Sequence, residues 1–215
     1  MSLYTPSHFS TQDRAAIARL MHEYAFATLV TPAAPEPLVS HLPLLLVPGC
    51  EPHGTLLGHF ARANPHWQRA RDVDSIAIFH GPHAYVSPSW YAEPERMVPT
   101  WNYASVHAHG TLEMIDDPAS AQGVMDALVQ RFEGPRAKPW TFQRGERERN
   151  ALMGAIQPFR MRIRRIDAKF KLSQNRSRDD RSRVIDALRA EAHPEAAATA
   201  DWMANYAGRD DDGPR

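Results

Sequence analysis

A chain of 215 residues with 43% hydrophobic and 23% charged residues is long enough to bury one substantial core, and this composition excludes the disordered and fibrous classes. Lys+Arg and Asp+Glu both number 25, so the formal net charge is zero, and any attraction to nucleic acid or anionic lipid has to be local. One cysteine, Cys50, excludes an internal disulfide framework. The longest apolar run, Leu42 to Val47, is far short of the roughly 20 residues that cross a bilayer, and with no apolar signal-peptide core at the N-terminus the expected compartment is the cytoplasm.

In chain order, the pattern opens with a helix. Ser10 is placed to cap it with Asp13 as the acidic half of a capping box, and Ile17, Leu20, Met21 and Tyr24 then fall on one helical face. Four short apolar or β-branched runs follow, Ala25 to Thr31, Leu38 to Val47, Thr55 to Ala61 and Ser75 to His80, each bounded by Pro, Gly or Asp as strands are. Asn64 and Pro65 start a short helix between the third and fourth. The stretch "VPTWNYASVHAHGTLEMI", Val98 to Ile115, alternates like a strand, and Asp117 and Pro118 start a helix that Pro135 and Pro139 close into an irregular loop. "PFRMRIRRIDAKFKLSQN" reads as a last strand, two C-terminal helices follow, and the tail "GRDDDGPR" is expected to be mobile. Strands joined mostly by short turns do not suit a doubly wound parallel sheet; the better fit is a small antiparallel barrel decorated by helices.

Several chemistries find no support. There is no G-x-S-x-G elbow and no Gly-rich phosphate loop, and Cys50 sits in a turn composition without an identifiable activating partner. His107 and His109 point to one side of a strand, but no third metal ligand with a defined relation to them is evident. Residues 159–183 hold ten Lys or Arg against three Asp, either as a solvated strand face balanced by acids elsewhere or as a site for phosphate or nucleic acid. No helix-turn-helix pattern accompanies them, which argues against DNA recognition.

Three stretches offer more than packing. "GHFARANPHW" places Arg62 and Asn64 where a strand end runs into a helix N-terminus, so that a guanidinium and free backbone N–H groups can hold a phosphate. "FKLSQNR" supplies Lys171, Ser173, Gln174 and Asn175 as a dense set of polar groups. Trp101, Asn102 and Tyr103 can stack against a flat heteroaromatic ring while the amide pairs with its edge. Together they suit a phosphorylated aromatic cofactor.

With these motifs in hand, the sequence resembles the PaiB family of FMN-binding negative transcriptional regulators, within the wider split-barrel flavoproteins that include pyridoxamine-phosphate oxidases. The resemblance is carried in order by "YTPSHF", "SHLPLLL", "GHFARANPHW", "AIFHGPHAYVSPSWY", "VPTWNYASVHAHG" and "FKLSQNR". It implies a mainly β fold with peripheral helices, a six-stranded antiparallel split barrel, a homodimer, and FMN in clefts between the two subunits. The expected organisation is an FMN-binding domain with its N-terminal helix over 1–176, a helical extension over 177–208 packed on the same domain, and a tail over 209–215. Carried over by motif, the phosphate falls on Arg62 and Asn64, while Ser87, Trp101, Asn102 and Tyr103 approach the ring. Where the oxidases have Arg-Leu-His-Asp-Arg, this chain has Lys171, Leu172, Ser173, Gln174 and Asn175, a departure that argues against pyridoxine phosphate oxidation.

Three functions follow for comparison. The first is a flavin-binding regulator. The second is an FMN-dependent oxidoreductase or flavin-reductase-like enzyme acting on a small molecule, with His41, Tyr91 or Lys171 as proton donor. The third is a haem- or metal-handling split barrel that uses His107 or His109.

Overall fold

The computed structural model describes residues 3–47, 49, 53–143 and 145–206; Cys50 and the tail "GRDDDGPR" lie outside them. Seven strands make one sheet, β1 (Phe26–Thr31), β2 (Leu38–Pro43), β3 (Leu45–Val47), β4 (Thr55–Ala61), β5 (Asp74–Val86), β6 (Thr100–Met114) and β7 (Ile156–Lys171), in the order β2-β1-β5-β6-β7-β4-β3. β1 runs antiparallel to β2 and β5, and β4 antiparallel to β3 and β7.

The count is seven rather than six because the apolar run Leu38–Val47 is two strands. Pro43 has no N–H to give a ladder, and the Leu44 N–H turns aside to the Ala25 carbonyl at 2.9 Å. The halves pair at opposite edges of the sheet, Leu38 with Thr31 in β1 and Val47 with Thr55 in β4. One residue separates them, so the two edges are drawn together at Leu44, as in barrel closure.

The chain falls into two compact units, one of Met1–Glu23, His80–Val106 and Asp167–Arg215, the other of Tyr24–Phe79 and His107–Ile166. The second unit buries Leu29, Leu56, Phe60, Phe79, Phe159, Met161 and Ile163. Gly110 belongs to this core by necessity: a Cβ there would overlap the Arg162 carbonyl oxygen, so β6 and β7 approach closely only because the side chain is absent. Helix α2 (His66–Ala70) follows Asn64, and α3 (Pro118–Glu133) is capped by Asp117, whose carboxylate accepts the Ser120 N–H at 2.8 Å. The expected irregular loop contains a further helix, α4 (Glu146–Gly154). It buries none of its residues, so the segment lacks the apolar stripe by which a helix is recognised in sequence.

In the first unit, α1 (Arg14–Glu23) is capped by Asp13 rather than Ser10. The Asp13 carboxylate accepts the N–H groups of Ala15 and Ala16, and Ser10 instead bridges to Lys169. Helices α5 (Arg178–Ala190) and α6 (Pro194–Tyr206) pack here too: Phe170 meets Trp202 and Tyr206 edge-on at 5.6 and 5.2 Å, and the Trp202 indole donates to Glu23. No helix among the described residues is long and apolar enough to cross a membrane.

Candidate functional site

β6 sorts its side chains by parity. Asn102, Ala104, Val106, Ala108, Gly110 and Leu112 are buried, whereas the opposite face carries Trp101, Tyr103, His107 and His109. Trp101 is 51% exposed, an unusual place for an indole, and it is not alone. His83 and Tyr85, on the same face of β5, lie with ring centroids 5.5 and 6.4 Å from it. The result is an open aromatic wall in the first unit. Tyr103 continues the row, with the Lys169 ammonium 5.4 Å from its ring.

Behind that wall the polar residues of "FKLSQNR" are bonded to β6 and to nearby backbone groups. Asn102 is 1% exposed, and its amide donates to Ser173 Oγ at 2.9 Å and to Met203 Sδ at 3.3 Å. Lys171 Nζ donates to Thr100 Oγ1 at 2.6 Å and to the Trp101 carbonyl at 2.5 Å, which fixes the backbone beneath the indole. Burial, with Lys169 and Arg176 nearby, pulls the Lys171 pKa below the ordinary lysine range. Gln174 is occupied at home: its carbonyl takes the Leu172 N–H and its amide meets the Phe170 carbonyl. Ser87 caps the short turn Pro88–Trp90 by accepting the Ser89 N–H. Asn175 is exposed at the rim of a small cavity beside Lys171.

Arg62 and Asn64 belong to the second unit. Arg62 clasps the chain between α4 and β7, with its Nε on the Gly154 carbonyl and its Nη2 on the Ile156 carbonyl, both at 2.9 Å. It also lines a cavity of about 970 Å³, of mixed polar and apolar character, with Asp116, Glu146, Arg149 and Asn150. Asn64 Oδ1 accepts the His66 N–H at 3.0 Å, so one N–H at the start of the five-residue α2 is already bonded. Its amide donates to Ser40, and from there a buried chain of bonds runs Ser40 Oγ to His66 Nδ1 (2.8 Å), His66 Nε2 to Thr31 Oγ1 (2.9 Å) and Thr31 Oγ1 to Ser75 Oγ (2.7 Å). Burial pushes the His66 pKa down.

Sequence reasoning missed both this relay and the partners of Trp101. The relay joins positions 31, 40, 66 and 75, and only tertiary pairing reveals it. His83 and Tyr85 did leave a signal, a two-residue spacing on a strand. The paired histidines of β6 are set in the sheet: Arg165 lies 3.2 Å from the His109 ring nitrogens, and no group of three or more His, Cys, Asp or Glu able to hold a metal occurs among the described residues.

A family model described as "Putative FMN-binding domain" matches residues 3–165. Over 204 residues the chain is 33% identical to protease synthase and sporulation protein PAI 2 of Bacillus subtilis, covering 94% of this chain and 96% of that one. An uncharacterized protein of Aspergillus fumigatus is 28% identical over 170 residues, covering 62% and 65%. Among solved structures, the FAD and heme binding protein of Mycobacterium smegmatis superposes with a TM-score of 0.58 at 18% identity, over 75% of this chain and 73% of that one. The flavocytochrome of Azotobacter vinelandii does so with a TM-score of 0.58 at 14% identity, over 75% and 69%. These structural likenesses establish the fold, the split barrel of flavoproteins.

Proposed function

The chain belongs to the PaiB-type family of FMN-binding proteins, and from that premise we propose that the flavin ring stacks on the exposed wall of the first unit, against Trp101. The observation that carries this reading is the half-exposed indole flanked by His83 and Tyr85, with its backbone held by Lys171. An aromatic surface left open on a strand suits a flat heteroaromatic partner. A bound flavin would supply electron transfer; on this chain Trp101, with His83 and Tyr85 beside it, would position the ring. Asn102 and Ser173 support that wall from within; Arg62 and Asn64, on the second unit, are proposed as a phosphate site in their own right.

Trp101→Ala tests the ring assignment. Loss of one aromatic contact is worth about 0.5–1.5 kcal/mol beyond area burial, so FMN and riboflavin should weaken alike, by at least about threefold. Unchanged affinity for both would refute it.

The regulatory reading suggested by the family resemblance places the protein in the cytoplasm as a homodimer. Apolar side chains exposed on strands, among them Phe26 and Val39, are the kind of surface a second copy covers. Sedimentation of the flavin-loaded protein decides this, and a clean monomer at micromolar concentration would reject the dimer. A second reading, an FMN-dependent oxidoreductase acting on a small molecule, is favoured by Lys171, a half-buried amine whose proton is held less tightly than usual.

A further inference from the structure

In the first unit, a cavity of about 130 Å³ opens beside Lys171 and Arg176. It is smaller than the roughly 300 Å³ at which sites for drug-sized ligands begin, so it suits a single functional group rather than a ring system. Its walls include the polar residues Thr100, Asn102, Ser173 and Asn175, with Phe9 and Val98 supplying apolar surface. Two cations line it, and among the described residues that line it there is no carboxylate.

That imbalance is built by the backbone. A continued strand would send 171, 173 and 175 to one side and 176 to the other. Instead Ser173 takes a left-handed φ of 64°, rare outside glycine, and the Arg176 N–H closes a turn on the Ser173 carbonyl at 3.1 Å. The turn brings Arg176 to the same cavity as Lys171. Ser173 is held in this conformation by the buried Asn102 amide, and its side chain is 4% exposed. Lys171 is held by a hydroxyl and a carbonyl, neither of which carries a charge to neutralise it. A half-buried ammonium beside a guanidinium, without an acid in the wall, is complementary to a small anion.

We infer that this cavity is an oxyanion site, in which a phosphate or carboxylate group is held by Lys171 and Arg176 over the floor made by Asn102 and Ser173. The depressed Lys171 pKa agrees with a cation that lacks its counter-ion in the free protein. The inference stands apart from the placement of the flavin ring on Trp101. The oxyanion has two sources, the phosphate of the flavin or an acidic group on a second small molecule, and both are read by the same pair of cations.

Inorganic phosphate is the probe. It is titrated into the riboflavin-loaded protein, whose flavin carries no phosphate, at constant ionic strength set with chloride, with ³¹P line broadening and the melting temperature as readouts. Lys171→Met and Arg176→Gln are each expected to raise the phosphate dissociation constant about ten- to a hundredfold, whereas Lys171→Arg keeps most of the affinity. Arg176→Gln is the decisive variant, because Arg176 rests against the Tyr91 ring and its removal leaves the Asn102–Ser173 pair intact. FMN and riboflavin titrations of the same variants separate the sources. FMN weakened about tenfold with riboflavin unchanged identifies the flavin's own phosphate as the anion, and withdraws that role from Arg62. Both flavins unchanged with inorganic phosphate lost identifies a second, acidic ligand. If Arg176→Gln alters neither inorganic phosphate nor FMN binding, the site does not exist. A Trp101→Ala protein that keeps its affinity for both flavins and still binds phosphate would sink the ring placement and leave the oxyanion site standing.

Discussion

Arg62 presents two roles that one substitution can separate. Its guanidinium holds the Gly154 and Ile156 carbonyls, and its own N–H bonds the Ala155 carbonyl between them, so it fastens the start of β7. It also faces the 970 Å³ cavity, where Asp116 and Glu146 would oppose an incoming phosphate and Arg149 would assist it. A guanidinium bonded to a phosphate contributes about 1.5–3 kcal/mol, so Arg62→Ala is expected to weaken FMN about ten- to a hundredfold while riboflavin, which has no phosphate, keeps its affinity. If Arg62 serves only as a brace, the melting temperature falls and the ratio of FMN to riboflavin affinity stays as in wild type. The sequence pointed to Arg62 by its place at a strand end. That its nitrogens reach carbonyls some ninety residues away could be learned only from the fold.

The elements around α2 show why much of the site was hidden. Strand positions were readable, since β4 spans Thr55–Ala61 as its bounded apolar run predicts and β6 alternates along its length except at Ser105, which is buried on the otherwise more exposed face. The failures have physical causes: a proline-broken run that pairs at both sheet edges, and α4, a helix without a buried face. The relay that anchors α2 uses Thr, Ser and His, residue types that are common on surfaces and carry no pattern until burial removes their water. Its consequence is a pH dependence. His66 is 2% exposed between two hydroxyls and against the Phe60 ring, and burial lowers its pKa from the ordinary 6.5. The unfolded chain therefore binds the proton more tightly than the folded one. The stability that neutral His66 contributes is complete above about pH 6.5 and is lost as pH falls through the lower folded-state value. Urea midpoints measured at about pH 7.5 and about pH 5.5 should differ in wild type, and the difference should shrink in His66→Gln. It should not vanish, because burial lowers the His59 pKa too. An unchanged difference would mean that His66 takes no part in the acid limb.

At the scale of the whole molecule, a formal charge of zero conceals a strand dense in arginine, and whether that strand reads DNA depends on what faces it. In the second unit, Arg160 and Arg162 both pair with Glu113 of β6, at 2.8 and 3.1 Å, and Arg164 pairs with Asp74 of β5. Arg165 lies against His109. Those acids are distant in sequence, which is why the segment 159–183 reads as strongly basic on its own and is partly offset once the sheet forms. In the first unit, Lys169 and Lys171 are turned to carbonyl and hydroxyl partners, and Arg183 pairs with Asp179. Exposed ion pairs of this kind add little stability, about 0–1 kcal/mol each, but they offset part of the positive charge that phosphate neutralisation requires. A regulator built on this chain would then act through its flavin, a small ligand or a protein partner. The expected result is only weak, sequence-independent DNA binding that disappears steeply with added salt, as gel shifts across a salt series would show. A submicromolar complex with one operator, persisting at physiological salt, would overturn this conclusion and assign direct readout to the basic segment despite its ion pairs.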